Sequence, residues 1–185
     1  MACTTLLPAL VSNDACMTTK TGQIFKFYHT RATSADVLTD VTDDTEWATR
    51  LSQSAAIPGS GAAPIRQWSV IGSKAEGEVS EVELPLNGVF STKGNTVIQL
   101  RCYDLTTENL AAVKTFNDAG SSKQKAWFAF DDDMAGGDSG INGYLRMDVV
   151  IPESSQELSH IAITFTFKGS IGGFDTSPLP AFASY

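Results

Sequence analysis

Strict alternation of apolar and polar residues marks the second half of the chain. Within residues 144–151 and again within 159–168, every second residue is apolar, and residues 96–103 alternate in the same way. A period of two is typical of a β-strand with one face buried and the other exposed. These three segments therefore predict antiparallel strands that pack on one core.

The remaining elements are shorter. Further strands are predicted at residues 24–28, 66–71, 76–84 and 125–130. One helix is predicted at about residues 106–117, with Thr106 as its N-cap, Gly120 as its end, and an apolar stripe formed by Leu110, Val113 and Phe116. About seven strands and one helix predict a mainly β fold, an antiparallel β-sandwich or barrel.

Three segments lack a regular pattern. Residues 1–22 are rich in Thr, Ala and Ser and are interpreted as an N-terminal arm. Residues 34–65 crowd acidic side chains around Trp47 and end in a Pro/Gly-rich stretch, which predicts a long irregular loop. Residues 170–185 are interpreted as a C-terminal extension. With 185 residues in all, the sequence predicts a single domain over residues 1–185.

Charge and cysteine content exclude several classes of protein. The chain has 13 basic and 21 acidic residues, a formal net charge of -8, which argues against a protein that grips nucleic acid. Three cysteines without a CxxC pair predict neither a metal site nor a disulfide framework, and favour synthesis in the cytoplasm. We expect no signal peptide, since the start lacks a basic region, and no membrane span.

Gly137-Asp138-Ser139-Gly140 resembles the nucleophile motif of chymotrypsin-like serine proteases. That mechanism needs a histidine base and a carboxylate that orients it. His29 is the only histidine upstream, its neighbours do not resemble that family, and Ile141 stands where a second glycine belongs. A polar hairpin loop is the preferred interpretation, and a serine protease remains an alternative.

Asp131, Asp132 and Asp133 form a run of three carboxylates, a composition that calcium sites also have. An EF-hand loop would need an acid or amide at Ala135 and a glutamate at Asn142, so this interpretation fails. Whether the three carboxylates bind a weaker cation stays open. No metal and no cofactor are predicted.

Four glutamates cluster around the predicted strand 76–84: Glu76, Glu78, Glu81 and Glu83. They form either a solvated sheet edge or an acidic wall facing a passage. A strict period of two would place Glu81 on the face of Val79, which predicts a bulge near Ser80.

Taken in order, these features resemble a bacteriophage major tail tube protein over about residues 24–170. The resemblance consists of an early strand, the acidic loop Val41-Thr42-Asp43-Asp44-Thr45-Glu46-Trp47, a strand at 68–72, a β-ribbon at 76–84, and an extended strand leading into the helix over 97–116. It ends with paired strands that close on Phe165-Thr166-Phe167-Lys168-Gly169.

The resemblance implies hexameric rings that stack into a hollow tube in the virion tail, assembled in the host cytoplasm. Phage DNA would pass through an acidic lumen without specific binding. The implied partners are further copies of the chain, the tape measure protein and tail-end proteins. The resemblance implies no membrane partner and no catalysis. Candidate lumen or interface residues are Glu76, Glu78, Glu81, Glu83, Arg146, Asp148, Thr164, Thr166 and Lys168. Candidate inter-ring residues are Asp43, Asp44, Glu46 and Trp47. The alternatives are a capsid decoration protein, a tail terminator or a secreted β-sandwich binding module.

Overall fold

A computed structural model describes residues 23–32, 37–52, 64–73, 79–84, 88–120, 123–130, 133–153, 157–169 and 176–180. Within these ranges the chain forms ten strands and two helices, and the predicted mainly β fold is confirmed. The strands are β1 (Gln23–Arg31), β2 (Arg66–Ser73), β3 (Val79–Leu84), β4 (Gly88–Lys93), β5 (Asn95–Cys102), β6 (Lys123–Phe130), β7 (Asp133–Ala135), β8 (Ile141–Val150), β9 (His160–Lys168) and β10 (Thr176–Pro178). The helices are α1 (Asp44–Ser52) and α2 (Thr107–Ala119).

Six strands close into an antiparallel barrel in the order β1, β2, β5, β9, β8 and β6, because β6 pairs again with β1. The ladders on both sides of β9 are long, from Asn95↔Lys168 to Cys102↔Ile161 and from Gly143↔Phe167 to Val150↔His160. The ladder between β2 and β5 is short, with only Ile71↔Arg101 and Gly72↔Leu100 in register. The short strands β7 and β10 extend the sheet beside β6.

The barrel interior holds one hydrophobic cluster, to which β5, β8 and β9 each give every second residue, as their sequence pattern predicts. These residues are Ile98, Leu100, Cys102, Leu145, Met147, Ile161, Ile163, Phe165 and Phe167. Gly143 also faces this interior, where a Cβ would lie 2.5 Å from Cζ of Phe165. Close packing therefore requires glycine at this position of β8.

The strands β1 and β6 are buried on both faces. Phe27 and Phe128 point into the barrel, whereas Tyr28 and Trp127 point outward into a second cluster. This second cluster, here called the outer cluster, contains Phe25, Tyr28, Leu38, Val41, Trp47, Ile65, Trp127, Ala129 and Met134. Because the outer cluster covers the outward-facing side of β1 and β6, both strands are continuous apolar runs in the sequence and do not alternate.

Helix α1 lies inside the segment predicted as an irregular loop, so the prediction of a single helix was wrong. The carboxylate of Asp43 caps its start, because Oδ1 accepts a hydrogen bond from the Thr45 amide at 2.8 Å. Glu46 and Arg50, one turn apart, form an ion pair at 2.6 Å. Trp47 is fully buried in the outer cluster, and Leu51 packs against that cluster one turn later.

Helix α2 confirms the predicted caps. The Thr106 side chain accepts a hydrogen bond from the Asn109 amide, and Gly120 ends the helix at a φ of 62°. The buried residues of the helix are Ala112, Val113 and Phe116, which join the barrel cluster, whereas Leu110 is exposed. The prediction that Leu110 belongs to the inward stripe was therefore wrong.

The strands β3 and β4 follow β2 and precede β5 in the sequence, and they form a separate two-stranded ribbon. Their register runs without a shift from Val79↔Lys93 to Leu84↔Gly88, so the bulge predicted near Ser80 is not there. In the described part of the chain, neither strand of this ribbon pairs with the barrel.

Several predicted segments lie outside the described residues. These are the arm at 1–22, parts of the loop within 33–36 and 53–63, and most of the extension at 170–185. Within that extension, β10 pairs with β7. Neither α1 nor α2 has the length and apolarity needed to cross a lipid bilayer.

Candidate functional site

The outer face of β5, β9 and β8 carries most of the predicted lumen or interface residues. Residues opposite each other on neighbouring strands share a face, so the ladders define three rows across it: Val97–Thr166–Tyr144, Gln99–Thr164–Arg146 and Arg101–Ala162–Asp148. Lys168 continues this face beside Asn95. Five of the predicted residues therefore share one surface: Arg146, Asp148, Thr164, Thr166 and Lys168.

This surface, here called the outer face, mixes charged, hydroxyl and apolar side chains. Arg146 Nε lies 2.7 Å from Asp148 Oδ2, and both side chains are at least half exposed. Such an exposed pair adds little to stability, but its two charges cancel across neighbouring rows of this face. Val97 and Tyr144 expose 47% and 61% of their surface in the row with Thr166. Two exposed side chains with large apolar surface therefore flank Thr166 in one row of this face.

Of the predicted glutamates, Glu81 and Glu83 do not belong to the strands of the outer face. Glu81 and Glu83 lie in β3, opposite Ser91 and Val89 of β4. Glu76 and Glu78 lie outside the described residues. Glu81 and Glu83 are therefore in a different sheet from Arg146, Asp148 and the threonines of β9.

The predicted inter-ring residues form the start of α1. Asp43 caps the helix, and Glu46 Oε2 accepts a hydrogen bond from the Thr39 amide at 2.8 Å. Asp44 is exposed in the first turn, where its charge is favourable with the helix dipole. Trp47 differs from the other three because its side chain belongs to the outer cluster and not to the surface.

The serine motif connects two parts of the outer layer. Asp138 Oδ1 accepts a hydrogen bond from the Val41 amide at 2.8 Å, and its backbone carbonyl accepts one from Leu38. The carbonyl of Gly137 accepts from Trp127 Nε1 at 2.7 Å. A Cβ on Gly140 would lie 2.8 Å from Cζ2 of Trp127. These contacts show that the Gly-Asp-Ser-Gly turn holds the segment with Leu38 and Val41 and packs on Trp127.

We predict that Asp138→Ala lowers the free energy of unfolding by about 1–3 kcal/mol, because the part-buried Val41 amide loses its acceptor. Asp138→Asn keeps a side-chain oxygen acceptor and should cost less. Ser139→Ala, at an exposed position, should change stability by less than about 0.5 kcal/mol. Denaturant titrations measure all three. Equal losses for Asp138→Ala and Ser139→Ala would contradict the structural role of Asp138.

The histidine that the serine motif would need lies inside the barrel. His29 is fully buried, stacks on Phe27 at 5.7 Å and on Trp68 at 6.5 Å, and meets the edge of Phe116. Its Nδ1 lies 3.2 Å from Gln124 Oε1. The Gly-Asp-Ser-Gly turn packs on Trp127, which faces outward. His29 and Ser139 are therefore on opposite sides of the barrel wall.

Burial also sets the charge state of His29. Removal from water lowers the pKa of His29 to about 4; the hydrogen bond that the ring donates to Gln124 Oε1 opposes this shift, and the charge of Arg66 adds to it. Nε2 of the ring has no hydrogen-bond partner among the described residues. The ring is thus neutral near pH 7.

Clefts follow the segment that leads from β5 into α2. One cleft of about 410 Å³ separates this segment from β1 and β2, and its lining includes Phe25, Lys26, Ser69, Ile71, Tyr103 and Asp104. A second, of about 330 Å³, continues along the same segment and is lined by Leu51, Arg66, Gln67, Asp104, Thr106, Glu108 and Asn109. Asp104 lines both clefts, and β2 contributes Ser69, Val70 and Ile71 to the first and Arg66 and Gln67 to the second.

The sequence did not predict the clefts beside β2. The pattern at 66–71 predicted a strand, but no local signal indicates that this strand would pair with β5 over only two residues. Pairing between distant strands depends on the whole barrel and not on the residues of one strand.

Other classes of site find no support in the described residues. There, no three His, Cys, Asp or Glu side chains come together as metal ligands; Asp131 and Asp132 lie outside the described residues. No protein-family model, curated protein or solved structure shows significant similarity to this chain.

Proposed function

We propose that this chain is a structural protein that assembles with copies of itself into stacked hexameric rings, as bacteriophage tail tube proteins do, around a channel through which DNA passes. The ring number and the DNA channel rest on the resemblance of the sequence pattern. The geometry of the described residues supports self-assembly as such.

The observation that carries the proposal is the β3–β4 ribbon, whose two outer edges have no strand partner in the described part of the chain. An isolated two-stranded ribbon is at best marginally stable in water. Unpaired strand edges are also templates for pairing with another chain. A second protein surface that completes the ribbon is therefore expected.

The closed barrel restricts how neighbours can meet. The resemblance implies subunits whose sheet edges are closed by their neighbours. Here the edges of the six barrel strands are largely closed within the chain itself. Contacts between subunits are then expected at the ribbon and at the outer face, where Val97 and Tyr144 are exposed.

The charge of the chain suits a channel for DNA. A net charge of -8 repels a polyanion, so that DNA would slide past without being held. Glu81 and Glu83 lie on the ribbon, and Arg146 is paired with Asp148 rather than free to bind phosphate. The outer face is therefore proposed as a surface near the lumen, and the ribbon as a surface of contact between subunits.

Electron microscopy of the purified protein tests this proposal, together with light scattering to measure mass. We expect rings that stack into tubes, either alone or with the tape measure protein as initiator. Particles that remain monomeric at all concentrations and with that partner would contradict the proposal. Closed rings that never stack would instead favour a capsid decoration protein or a tail terminator.

A further inference from the structure

The barrel has an open seam along β2, formed by its residues 67–70. On one side this stretch pairs with β1, through Tyr28↔Gln67, Phe27↔Trp68 and Lys26↔Ser69. On the other side β2 meets β5 only from Ile71 onward. In the ranges that the structure describes, the edge of β2 before Ile71 thus faces the two clefts and not a strand.

The seam is bounded at both ends. At one end Ile71 and Gly72 pair with β5. At the other end Arg66 Nη2 donates a hydrogen bond to Asn109 Oδ1 at 2.8 Å, and Asn109 Nδ2 donates to the Asp104 carbonyl at 2.9 Å. These contacts fix the β5–α2 connection relative to the start of β2, at one end of the opening. An unpaired edge in a groove is the usual feature for adding a strand from a partner.

We propose that strand β3 of a second copy of this chain docks in this seam and adds to the free edge of β2. This proposal rests on the proposed self-assembly and names the contact through which it occurs. Both sides of the contact are strand edges without a partner in the described residues, and each supplies the backbone groups that the other lacks.

The charges around the seam select β3 rather than β4. Lys26, Arg66 and Arg101 line the clefts, against the carboxylates of Asp104 and Glu108. Burial lowers the pKa of Lys26, and burial also lowers that of Arg66, because removal from water disfavours their charged forms. The strand β3 carries Glu81 and Glu83, whereas β4 ends in Lys93. Opposite charges across the contact favour the acidic strand.

Apolar residues support the same pairing. Phe25, Val70, Ile71 and Tyr103 also line the larger cleft, and Ile71 exposes 55% of its surface. The strand β3 supplies Val82 and Leu84, which alternate with Glu81 and Glu83 in its sequence. Their burial would add the hydrophobic contribution that an edge-to-edge contact alone lacks.

The contact has a geometric consequence. A ribbon on one copy and a seam on the next are different surfaces, so the contact is head-to-tail. Each copy then offers its own ribbon to a third one, which produces a closed ring or an open filament according to the rotation between copies. A ring built this way is consistent with the proposed function.

Cysteine crosslinking between two singly substituted chains tests the contact. One preparation carries Ser69→Cys, and the other carries Ser80→Cys or Glu81→Cys, which cover the two faces of β3. Both also carry Cys3→Ser and Cys16→Ser, while Cys102 is buried. After mixing and oxidation under assembly conditions, we expect a disulfide between the two chains, identified by mass spectrometry. Asn142→Cys, exposed on β8, replaces Ser69→Cys as the control and should not crosslink.

A charge reversal gives an independent readout. Glu81→Lys with Glu83→Lys should weaken association at least tenfold, and adding Arg101→Glu should restore part of it. Asp118→Lys with Glu153→Lys changes net charge equally at exposed positions and should have less effect. Rings without the crosslink, together with equal effects of both reversals, would overturn the seam contact but leave the proposed function standing. Crosslinked chains that never form rings would support the contact and contradict the ring. Strictly monomeric protein would contradict both.

Discussion

Replacing Trp47 with alanine is expected to lower the free energy of unfolding by about 3–5 kcal/mol, as for other large buried aromatic side chains. The Trp47 ring is fully buried, 5.1 Å from Tyr28 and 5.6 Å from Trp127. Its Nε1 donates a 2.8 Å hydrogen bond to the Val41 carbonyl. Alanine leaves a cavity between α1 and the barrel wall and removes this donor. The melting temperature should fall on the order of 10 °C.

Guanidinium denaturation and calorimetry on monomeric protein measure this effect. Trp47→Phe keeps most of the ring volume and should cost less. Tyr144→Ala, at an exposed position on the outer face, should change stability by less than about 1 kcal/mol. The comparison separates two roles for Trp47. If its side chain served mainly at a contact between rings, Trp47→Ala would leave the monomer as stable as Tyr144→Ala does and would impair stacking alone.

The strands that the sequence predicted best are those with one face in water. Along β5, β8 and β9 the alternation of apolar and polar residues follows the barrel wall, with Leu100, Leu145 and Ile163 inside. Gln99, Arg146 and Thr164, at intervening positions, form one row outside. Because a period of two requires only a local sequence and a water-exposed side, no knowledge of distant contacts was needed.

Helix α1 was missed although its signals are present. Asp43 is followed three residues later by Glu46, the spacing of a capping box, and Trp47 and Leu51 are one helical turn apart. The dense acidic residues around them were interpreted as the mark of an irregular loop. A short helix has few apolar residues, so its period is weak, and its stability comes mostly from the packing of Trp47 on the barrel.

Features that depend on closure of the barrel could not be predicted. In β6, seven successive residues after Lys123 are buried, because the barrel interior covers one face and the outer cluster the other. The same closure places His29 of β1 against Gln124 of β6, 95 residues away in the sequence. A local pattern cannot show which strand will lie beside another, and therefore cannot place His29 inside or the seam of β2 at the surface.

His29 should make the fold sensitive to mild acid. Its pKa falls from 6.5 to about 4 on folding, mainly because burial disfavours the charged ring. In the unfolded chain the ring takes up a proton as the pH drops below about 6.5, whereas the folded barrel resists protonation until about pH 4. The contribution of His29 is thus fully present above pH 6.5 and is lost as the pH falls. The free energy of unfolding should decrease by about 3 kcal/mol over this range from this group alone.

His29→Leu isolates this contribution from that of the carboxylates, which titrate in both proteins. The variant should be less stable near pH 7, because Gln124 loses a partner, but its stability should fall less steeply between pH 6.5 and pH 4. The expected difference in slope reaches about 1.4 kcal/mol per pH unit. His160→Gln is the matched control, since His160 is the only other histidine and lies on the outer side of β9. It should keep the steep slope. Parallel stability curves for wild type and His29→Leu would show that His29 does not resist protonation in the fold, and would place it outside the dry interior of the barrel.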